Sequence, residues 1–441
     1  MSDPFFRDLV PVEKTEAYIR LLRGDGTSPD GTPSNNTSPD GGSAPPPAAI
    51  VGAGLMGCSI AAAFLRAGLK VSLYDSSVEA LERAPRRVAE ELAAQLADGD
   101  ENSRHNEARL RTASLLTILS DTARLDRAEV IIETIVEKLK IKQKFYRQLD
   151  SLLTAPKILL TNTSTLRIAD LAEPLAKTKY LSPERFCGFH FFHPVRKRSL
   201  VEVIPSQETT PAALAVARHL AWAIDKRPIT VGDGPGFLVN RLLNPYLDEA
   251  MALLIEGTPM ERIESAARRF GMEMGPFRII DEIGLDVTMH SGWTFYKTFP
   301  ERIAAMPLLP LMIDAGRLGR KNGVGFYRYK SAGNWADLGT EDPTLGALLT
   351  TIRSRWGAGY GIQRESDDDQ IASRLFLGIL REGERILKEG IVADTSQVDR
   401  ALVFALGFPK TKGGIFFWSE NLADVLRPYL LEVAKLGGKF A

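Results

Sequence analysis

A glycine-rich turn that joins an apolar strand to a helix constrains the fold of this chain more than any other feature. Residues 48–57 read AAIVGAGLMG, so the apolar run ends in the pattern G-x-G-x-x-G. In this pattern the first glycine permits a tight turn, the second lets a pyrophosphate approach the backbone, and the third lets helix and strand pack closely. The helix N-terminus then offers free N–H groups to the phosphates. We therefore predict a dinucleotide site at Gly52, Gly54, Leu55, Met56 and Gly57.

An acidic residue ends the second apolar segment. The stretch GLKVSLYD (68–75) reads as a strand, and Asp75 lies 18 residues after Gly57. A carboxylate at this place accepts hydrogen bonds from the adenine ribose hydroxyls and repels a 2′-phosphate. Asp75 therefore predicts NAD rather than NADP, and a packing turn with a solvated aspartate is the alternative at this point.

Strand and helix patterns alternate over residues 48–233. Such alternation is typical of α/β proteins with a mostly parallel, doubly wound sheet. The later predicted strands are 116–119, 128–134, 157–164, 185–192 and 200–204, and a long helix is predicted at 78–97.

Different patterns flank this region. Before it, residues 10–23 fit one short amphipathic helix, and residues 24–47 contain no large apolar side chain, which is typical of a disordered linker. After it, helical patterns dominate. The predicted boundaries are a short N-terminal segment (1–23), a linker (24–47), the sheet domain (48–233), a first helical domain (234–330), a second linker (331–368) and a second helical domain (369–441).

The two helical blocks share a pattern of residues. A constant offset of 133 residues along one predicted helix is difficult to attribute to chance, so we predict two copies of one all-helical module. Arg241, Glu249, Glu256 and Gly257 recur as Arg374, Glu382, Glu389 and Gly390, and after small insertions Glu264 and Gly271 recur as Asp399 and Gly407.

Two histidines lie in the stretch GFHFFHPVRKRSLVEVI (188–204). His190 and Glu202 are symmetric about Arg196, so strands that fold back at 194–198 make them cross-strand neighbours on one face. A buried carboxylate beside an imidazole holds one tautomer, as a general base requires. A core histidine bonded to a backbone carbonyl is the other interpretation that the spacing allows.

The turn between these strands is basic. Arg196, Lys197 and Arg198 form either a solvated turn or a clamp for a substrate phosphate. His193 precedes Pro194 and is predicted to be a loop residue.

Polar residues follow a strand at TNTS (161–164) and open the helical region at PGFLVNR (235–241). Doubly wound sheets bind ligands at the carboxyl ends of their strands, which makes Ser164 a candidate site residue. Asn240 is a second candidate, because the two domains are expected to meet there. Alternatively, Ser164 caps the next helix and Asn240 bonds locally.

The ordered motifs GAGLMG, NTSTL, GFHFFHPV…LVEVI, GPGFLVNRLL, MGPFRIIDEIGLD and GRKNGVGFY resemble those of L-3-hydroxyacyl-CoA dehydrogenases. The tandem helical block with GFPKTKGG (407–414) is most similar to the dehydrogenase half of multifunctional fatty-acid oxidation enzymes, without their enoyl-CoA hydratase half. The resemblance covers 48–330 and 369–425. It implies a Rossmann-type domain followed by two tandem all-α domains of the 6-phosphogluconate dehydrogenase C-terminal type.

The resemblance also implies an activity, the NAD-dependent oxidation of L-3-hydroxyacyl-CoA to 3-ketoacyl-CoA. It makes His190 the catalytic base and Glu202 the carboxylate that orients it. Ser164 matches the hydroxyl that bonds the substrate oxygen, and Asn240 the amide that helps hold the site. Further cofactor residues implied by the resemblance are Asp75, Thr134, Glu137, Lys142 and Asn162.

This chain departs from the family pattern at two places. His193 stands where the family usually has asparagine, and could add charge or change the fit. The acidic stretch EELAAQLADGD (90–100) stands where the family often contacts CoA; Arg86 and Arg87, or the basic turn, are candidate replacements. Two alternatives therefore stay open: a carrier-bound or small free hydroxy acid as substrate, or a dinucleotide-binding protein without turnover.

Composition limits the partners. Lys+Arg and Asp+Glu are both 55, which favours neither nucleic acid nor an anionic membrane. The two cysteines fit no metal or disulfide pattern, so we predict a cytoplasmic protein without a metal. Standalone members of the family commonly dimerise through the helical domain. A second copy in the same chain can fill that interface, which predicts a monomer, with a homodimer as the alternative.

Overall fold

The computed structural model describes residues 4–23, 44–96, 100–303, 307–330, 337, 339–356 and 366–436. The chain forms two compact units. The sheet unit is Arg23–Phe237, and the helical unit is Met1–Leu22 together with Leu238–Ala441. Most of the predicted linker 24–47 lies outside the described residues.

The sheet unit contains an eight-stranded sheet in the order β3-β2-β1-β4-β5-β6-β7-β8. Strands β1 to β6 are parallel, β7 is antiparallel to β6, and β8 is parallel to β7. The mostly parallel, doubly wound sheet is therefore confirmed. The strands are β1 (Ala48–Val51), β2 (Val71–Tyr74), β3 (Leu116–Leu119), β4 (Val130–Glu133), β5 (Ile158–Thr161), β6 (Phe186–Phe191), β7 (Leu200–Pro205) and β8 (Arg227–Thr230).

Helices that bury alanine, leucine and phenylalanine cover this sheet. The helix α4 is different, because only Ala108 and Thr112 are buried in it, and so its sequence shows no clear apolar stripe. It begins where the Asp100 carboxylate accepts a hydrogen bond from Ser103 N at 2.8 Å. The helices of the sheet unit are α2 (Leu55–Arg66), α3 (Val78–Ala93), α4 (Glu101–Leu115), α5 (Leu139–Asp150), α6 (Ile168–Ala172) and α7 (Pro211–Ala223), whereas α1 (Val12–Arg23) precedes them and belongs to the helical unit.

The helical unit bears out the predicted repeat. The long helices α8 and α14 each end at a glycine with positive φ, 117° at Gly257 and 68° at Gly390. The remaining elements are α8 (Val239–Glu256), α9 (Met260–Phe270), α10 (Pro276–Ile283), α11 (Leu285–Thr298), α12 (Leu308–Asp314), β9 (Tyr327–Arg328), β10 (Thr340–Glu341), α13 (Thr344–Trp356), α14 (Asp368–Lys388), α15 (Thr395–Ala401), α16 (Ile415–Asn421) and α17 (Ala423–Ala434).

Equivalent carboxylates make equivalent hydrogen bonds in the two modules. Glu264 Oε1 accepts a hydrogen bond from Phe277 N at 2.8 Å, and Asp399 Oδ1 accepts one from Phe416 N at 2.8 Å. Each carboxylate thus holds the start of a following helix, α10 in the first module and α16 in the second. This agreement supports two copies of one architecture.

Residues 331–368, predicted as a linker, contain the helix α13. Leu345, Leu349 and Ile352 are buried, and their spacing places them on one face of a helix. Arg353 donates to the carbonyls of Leu254 and Ile255, at 2.8 and 3.1 Å, near the end of α8. The helix was not predicted because its apolar stripe is short and follows a polar stretch.

The N-terminal segment packs on the second module, and its predicted helix is confirmed as α1. Phe5 is fully buried, with its ring centroid 5.6 Å from that of Trp418 and 5.0 Å from that of Tyr429. Tyr18 stacks on Phe417 at 4.2 Å and donates to Asp399 at 3.0 Å. Within the described ranges, we find no helix whose length and apolar character would let it span a membrane.

Candidate active site

The glycine turn has the geometry that its sequence predicts. Gly52 has a φ of 110°, which disfavours any residue with a side chain. A Cβ on Gly57 would lie 1.7 Å from the Gly52 carbonyl oxygen, whereas a Cβ on Gly54 would meet nothing within 4 Å. The helix α2 then begins without a side-chain cap and without an acidic residue in its first turn. Open space at Gly54 and uncapped N–H groups fit the pyrophosphate of a dinucleotide.

Side chains from neighbouring strands surround this turn. Asp75, after β2, accepts a hydrogen bond from Ala53 N at 2.7 Å and another from Ser77 N at 2.8 Å. Thr134, after β4, donates to the carbonyls of Val51 and Gly52 at 3.0 and 3.1 Å. Asp75 is therefore bound to the glycine turn and is not a solvated turn residue. The turn lies at the switch point between β2-β1 and β4, where doubly wound sheets bind ligands.

His190 and Glu202 are directly opposed in the antiparallel pair β6-β7. His190 Nδ1 lies 2.7 Å from Glu202 Oε2, and the side chains are 6% and 0% exposed. Because a carboxylate oxygen accepts, Nδ1 is the donor, and in the neutral imidazole Nε2 then has the lone pair that a general base needs. The predicted cross-strand pairing is confirmed.

Ser164 lies in a loop after β5 that is organised by Glu137. Glu137 Oε1 accepts from Thr163 Oγ1 at 2.6 Å, from the N–H groups of Ser164 and Thr165 at 2.8 and 3.1 Å, and more weakly from the Ser164 hydroxyl at 3.3 Å. Although burial raises the pKa of Glu137, Lys142 and these donors lower it below its ordinary value. Ser164 does not cap α6, since Asp233 accepts from the first N–H groups of that helix.

Asn162 connects this loop to the histidine strand. Its Oδ1 accepts a hydrogen bond, at 2.9 Å, from the backbone N–H of Phe191, which is the residue after His190. The structure therefore brings Asn162, Ser164 and His190 to the carboxyl edge of β5 and β6, which are neighbours in the sheet.

A buried ionic network lies beneath the loop, and the sequence analysis missed its centre, Glu133. Glu133 Oε1 accepts from Lys142 Nζ at 2.6 Å and from Ile135 N at 2.7 Å. Its Oε2 accepts from Tyr146 OH at 2.7 Å and from Thr161 Oγ1 at 2.8 Å. Lys142 Nζ also lies 3.5 Å from Glu137 Oε2, so the network extends to the Ser164 loop.

In the basic turn, Arg196 is paired with a carboxylate, so it is neither fully solvated nor available to a substrate phosphate. Arg196 NH1 lies 3.1 Å from both carboxylate oxygens of Glu91, on the acidic helix α3. Burial, followed by the nearby Arg196 and Arg198, lowers the pKa of His193 to about 4. His193 is therefore uncharged near neutral pH, and its substitution for asparagine adds no charge to the site.

Two further residues singled out in the sequence, Asn240 and Arg86, lie on helices. Asn240 is in the first turn of α8, in the helical unit. Arg86, a candidate phosphate contact, pairs with Glu90 at 2.8 Å and lines a cavity of about 900 Å³ between α3 and α4. None of the catalytic or cofactor residues predicted from the sequence is among those that line this cavity.

Family models match two consecutive parts of the chain. Residues 47–234 match the 3-hydroxyacyl-CoA dehydrogenase NAD binding domain, and residues 236–329 match the C-terminal domain of the same family. The glycine turn and the His190–Glu202 pair lie in the first range.

Solved structures extend the likeness. An (S)-3-hydroxybutyryl-CoA dehydrogenase from Ralstonia eutropha is 32% identical, with 65% of this chain and 100% of that chain covered and a TM-score of 0.59. A 3-hydroxybutyryl-CoA dehydrogenase from Escherichia coli, 24% identical, covers 90% of this chain and 97% of its own, with a TM-score of 0.72. The dehydrogenase part of multifunctional enzyme 1 from C. elegans, also 24% identical, covers 92% and 88%, with a TM-score of 0.59. The last two similarities concern the fold.

Together, the matched domains and the glycine turn identify the cofactor as NAD and the chain as an oxidoreductase. The chain belongs to the 3-hydroxyacyl-CoA dehydrogenase family.

Proposed function

We propose that this protein oxidises L-3-hydroxyacyl-CoA to 3-ketoacyl-CoA, a reaction of the fatty-acid β-oxidation type, with His190 as the general base. The observation that carries the proposal is the 2.7 Å contact between His190 Nδ1 and Glu202, at the ligand-binding edge of the sheet. It fixes the tautomer that an alcohol oxidation requires.

In this mechanism His190 Nε2 takes the proton of the substrate 3-hydroxyl. The buried Glu202 carboxylate stabilises the imidazolium that forms. When bound, NAD⁺ supplies the hydride acceptor for this oxidation. The glycine turn and Asp75 would hold it, together with Leu55, Met56, Thr134, Glu137 and Asn162. Lys142, which is buried, would act through its ion pair with Glu137.

Ser164 and Asn240 are proposed to donate hydrogen bonds to the substrate oxygen as it becomes a carbonyl. The Ser164 hydroxyl lies 3.3 Å from Glu137 Oε1. The same oxygen accepts shorter hydrogen bonds from Thr163 Oγ1 and Ser164 N.

The reverse reaction gives the direct test. Purified protein mixed with NADH and acetoacetyl-CoA should consume NADH, which is followed by its absorbance, and free acetoacetate should give no comparable loss. Consumption with acetoacetate but not with acetoacetyl-CoA would contradict a CoA substrate.

One observation favours a second candidate, a dehydrogenase for a carrier-bound or small free hydroxy acid. Glu91 neutralises Arg196, which removes one cation that a CoA phosphate would use. The acetoacetate arm of the same assay separates this candidate from the first.

We also propose that the protein is a monomer, because α8 and α14 already pair within the helical unit. Light scattering at micromolar concentration should give a mass near 48.5 kDa. A stable species of twice that mass would contradict the proposal.

A further inference from the structure

We propose that Glu382 and Glu389, in the second helical module, are positioning residues for the active site. They hold Arg241 in the first turn of α8, and Arg241 is the chain neighbour of Asn240. The inference rests on the proposed function, in which Asn240 bonds the substrate oxygen. It gives the second module, which carries none of the predicted catalytic residues, a part in the reaction.

The geometry around Arg241 is that of a buried, fully engaged guanidinium. Its side chain is 2% exposed. Arg241 Nε donates to Glu382 Oε1 at 2.8 Å, and NH1 donates to Glu389 Oε2 at 2.6 Å. Glu389 is itself held by Arg302 through its other oxygen, at 2.8 Å. Arginine recognises carboxylates with a planar fork, so these contacts fix direction as well as distance.

The start of α8 has no side-chain cap. Its N-cap is Leu238, with no side-chain hydrogen bond, and its first turn contains no acidic residue. Adjacent Cα atoms are only about 3.8 Å apart, so a shift of Arg241 moves Asn240 with it. Through Arg241, the two glutamates therefore hold the turn that carries Asn240.

The repeat supplies an equivalent cluster with the roles of α8 and α14 exchanged, here called the mirror cluster. Arg374, on α14, donates from Nε to Glu249 Oε2 at 2.7 Å and from NH2 to Glu256 Oε1 at 2.9 Å. Here Ser373 stands in the place of Asn240, and its hydroxyl donates to the Gln370 carbonyl of its own helix. The mirror cluster has the same chemistry without the amide, which makes it a matched control.

The experiment compares Glu382→Gln and Glu389→Gln with the mirror variants Glu249→Gln and Glu256→Gln. For Glu382→Gln we expect kcat for acetoacetyl-CoA reduction to fall about tenfold or more, since a displacement of about 1 Å costs up to about 100-fold. The Kd for NADH should not change. The Glu389→Gln change is at a more exposed side chain and should give a smaller loss in the same direction, so it remains informative if Glu382→Gln folds poorly.

The mirror variants should keep kcat. Glu249 is more buried than Glu382, with 1% against 12% of the side chain exposed, so its variant should lose at least as much thermal stability. Equal losses of kcat in the two sets, or no loss in either, would overturn the inference.

Hydrogen exchange at the Leu242 amide, which donates to the Leu238 carbonyl at 3.0 Å, tests the physical link without activity. Exchange should be faster in Glu382→Gln and unchanged in Glu249→Gln, and unchanged exchange in both would also overturn the inference. A wild-type protein that fails to reduce acetoacetyl-CoA would refute the proposed function instead, and the exchange result would still decide whether the glutamates hold this turn.

Discussion

Replacing His190 with alanine should lower kcat for acetoacetyl-CoA reduction by about 10²- to 10⁴-fold, the usual contribution of a general acid or base. In the direction of reduction the same imidazole gives its proton to the substrate oxygen. Since the imidazole contacts Glu202 and Phe192 and is not part of the glycine turn, NADH binding should persist. Stopped-flow or steady-state loss of NADH absorbance measures kcat, and fluorescence titration measures the Kd for NADH.

Two matched variants sharpen this prediction. Glu202→Gln keeps size and burial but removes the charge that holds the tautomer, so kcat should fall in the same direction as for His190→Ala. His193→Asn exchanges one uncharged side chain for another and should keep or raise activity. Loss of turnover in His193→Asn with full activity in His190→Ala would reverse the roles of the two histidines.

The second large effect concerns stability. Glu133→Ala should lower the free energy of unfolding by about 3–5 kcal/mol, because it removes the nearer carboxylate of the buried Lys142 ammonium and leaves only Glu137, at 3.5 Å. The hydroxyls of Tyr146 and Thr161 lose their acceptor as well. Urea unfolding measures the total, and hydrogen exchange in β4 and β5 should show that the loss is in the sheet unit.

A surface ion pair supplies the control. Glu90→Ala breaks the exposed pair with Arg86 on α3 and should cost less than about 0.5 kcal/mol. If Glu133→Ala is as mild as Glu90→Ala, then the buried network contributes nothing net. In that case Glu133 has no structural role that this arrangement explains.

The features that could be read from the sequence are local or periodic. The pairing of His190 with Glu202 follows from strand periodicity and a turn centred on Arg196, and the structure has this register. The glycine turn could be predicted because its motif is contained in one short strand–turn–helix unit, whereas the contact of Gly52 with Thr134, after β4, could not. The repeat was visible because its offset is constant along one helix.

The features that were missed depend on distant residues. Glu133 ends an apolar strand and looks like an ordinary surface residue in the sequence. Its burial depends on Lys142 and Tyr146 on α5 and on Thr161 in the neighbouring strand. No short pattern joins these positions. The pairing of Arg196 with Glu91 joins residues 105 positions apart and was missed for the same reason.

The mirror clusters on α8 and α14 have an evolutionary consequence. In a symmetric homodimer, every substitution at the interface occurs on both sides at once, because one gene encodes both. Here the two sides are separate positions of one chain, so each mutation is tested alone. The two sides differ accordingly: one carries Asn240, and the other carries Ser373 and packs against the N-terminal segment at Phe417 and Trp418. Two copies in one chain thus permit a specialisation that an interface between identical subunits forbids.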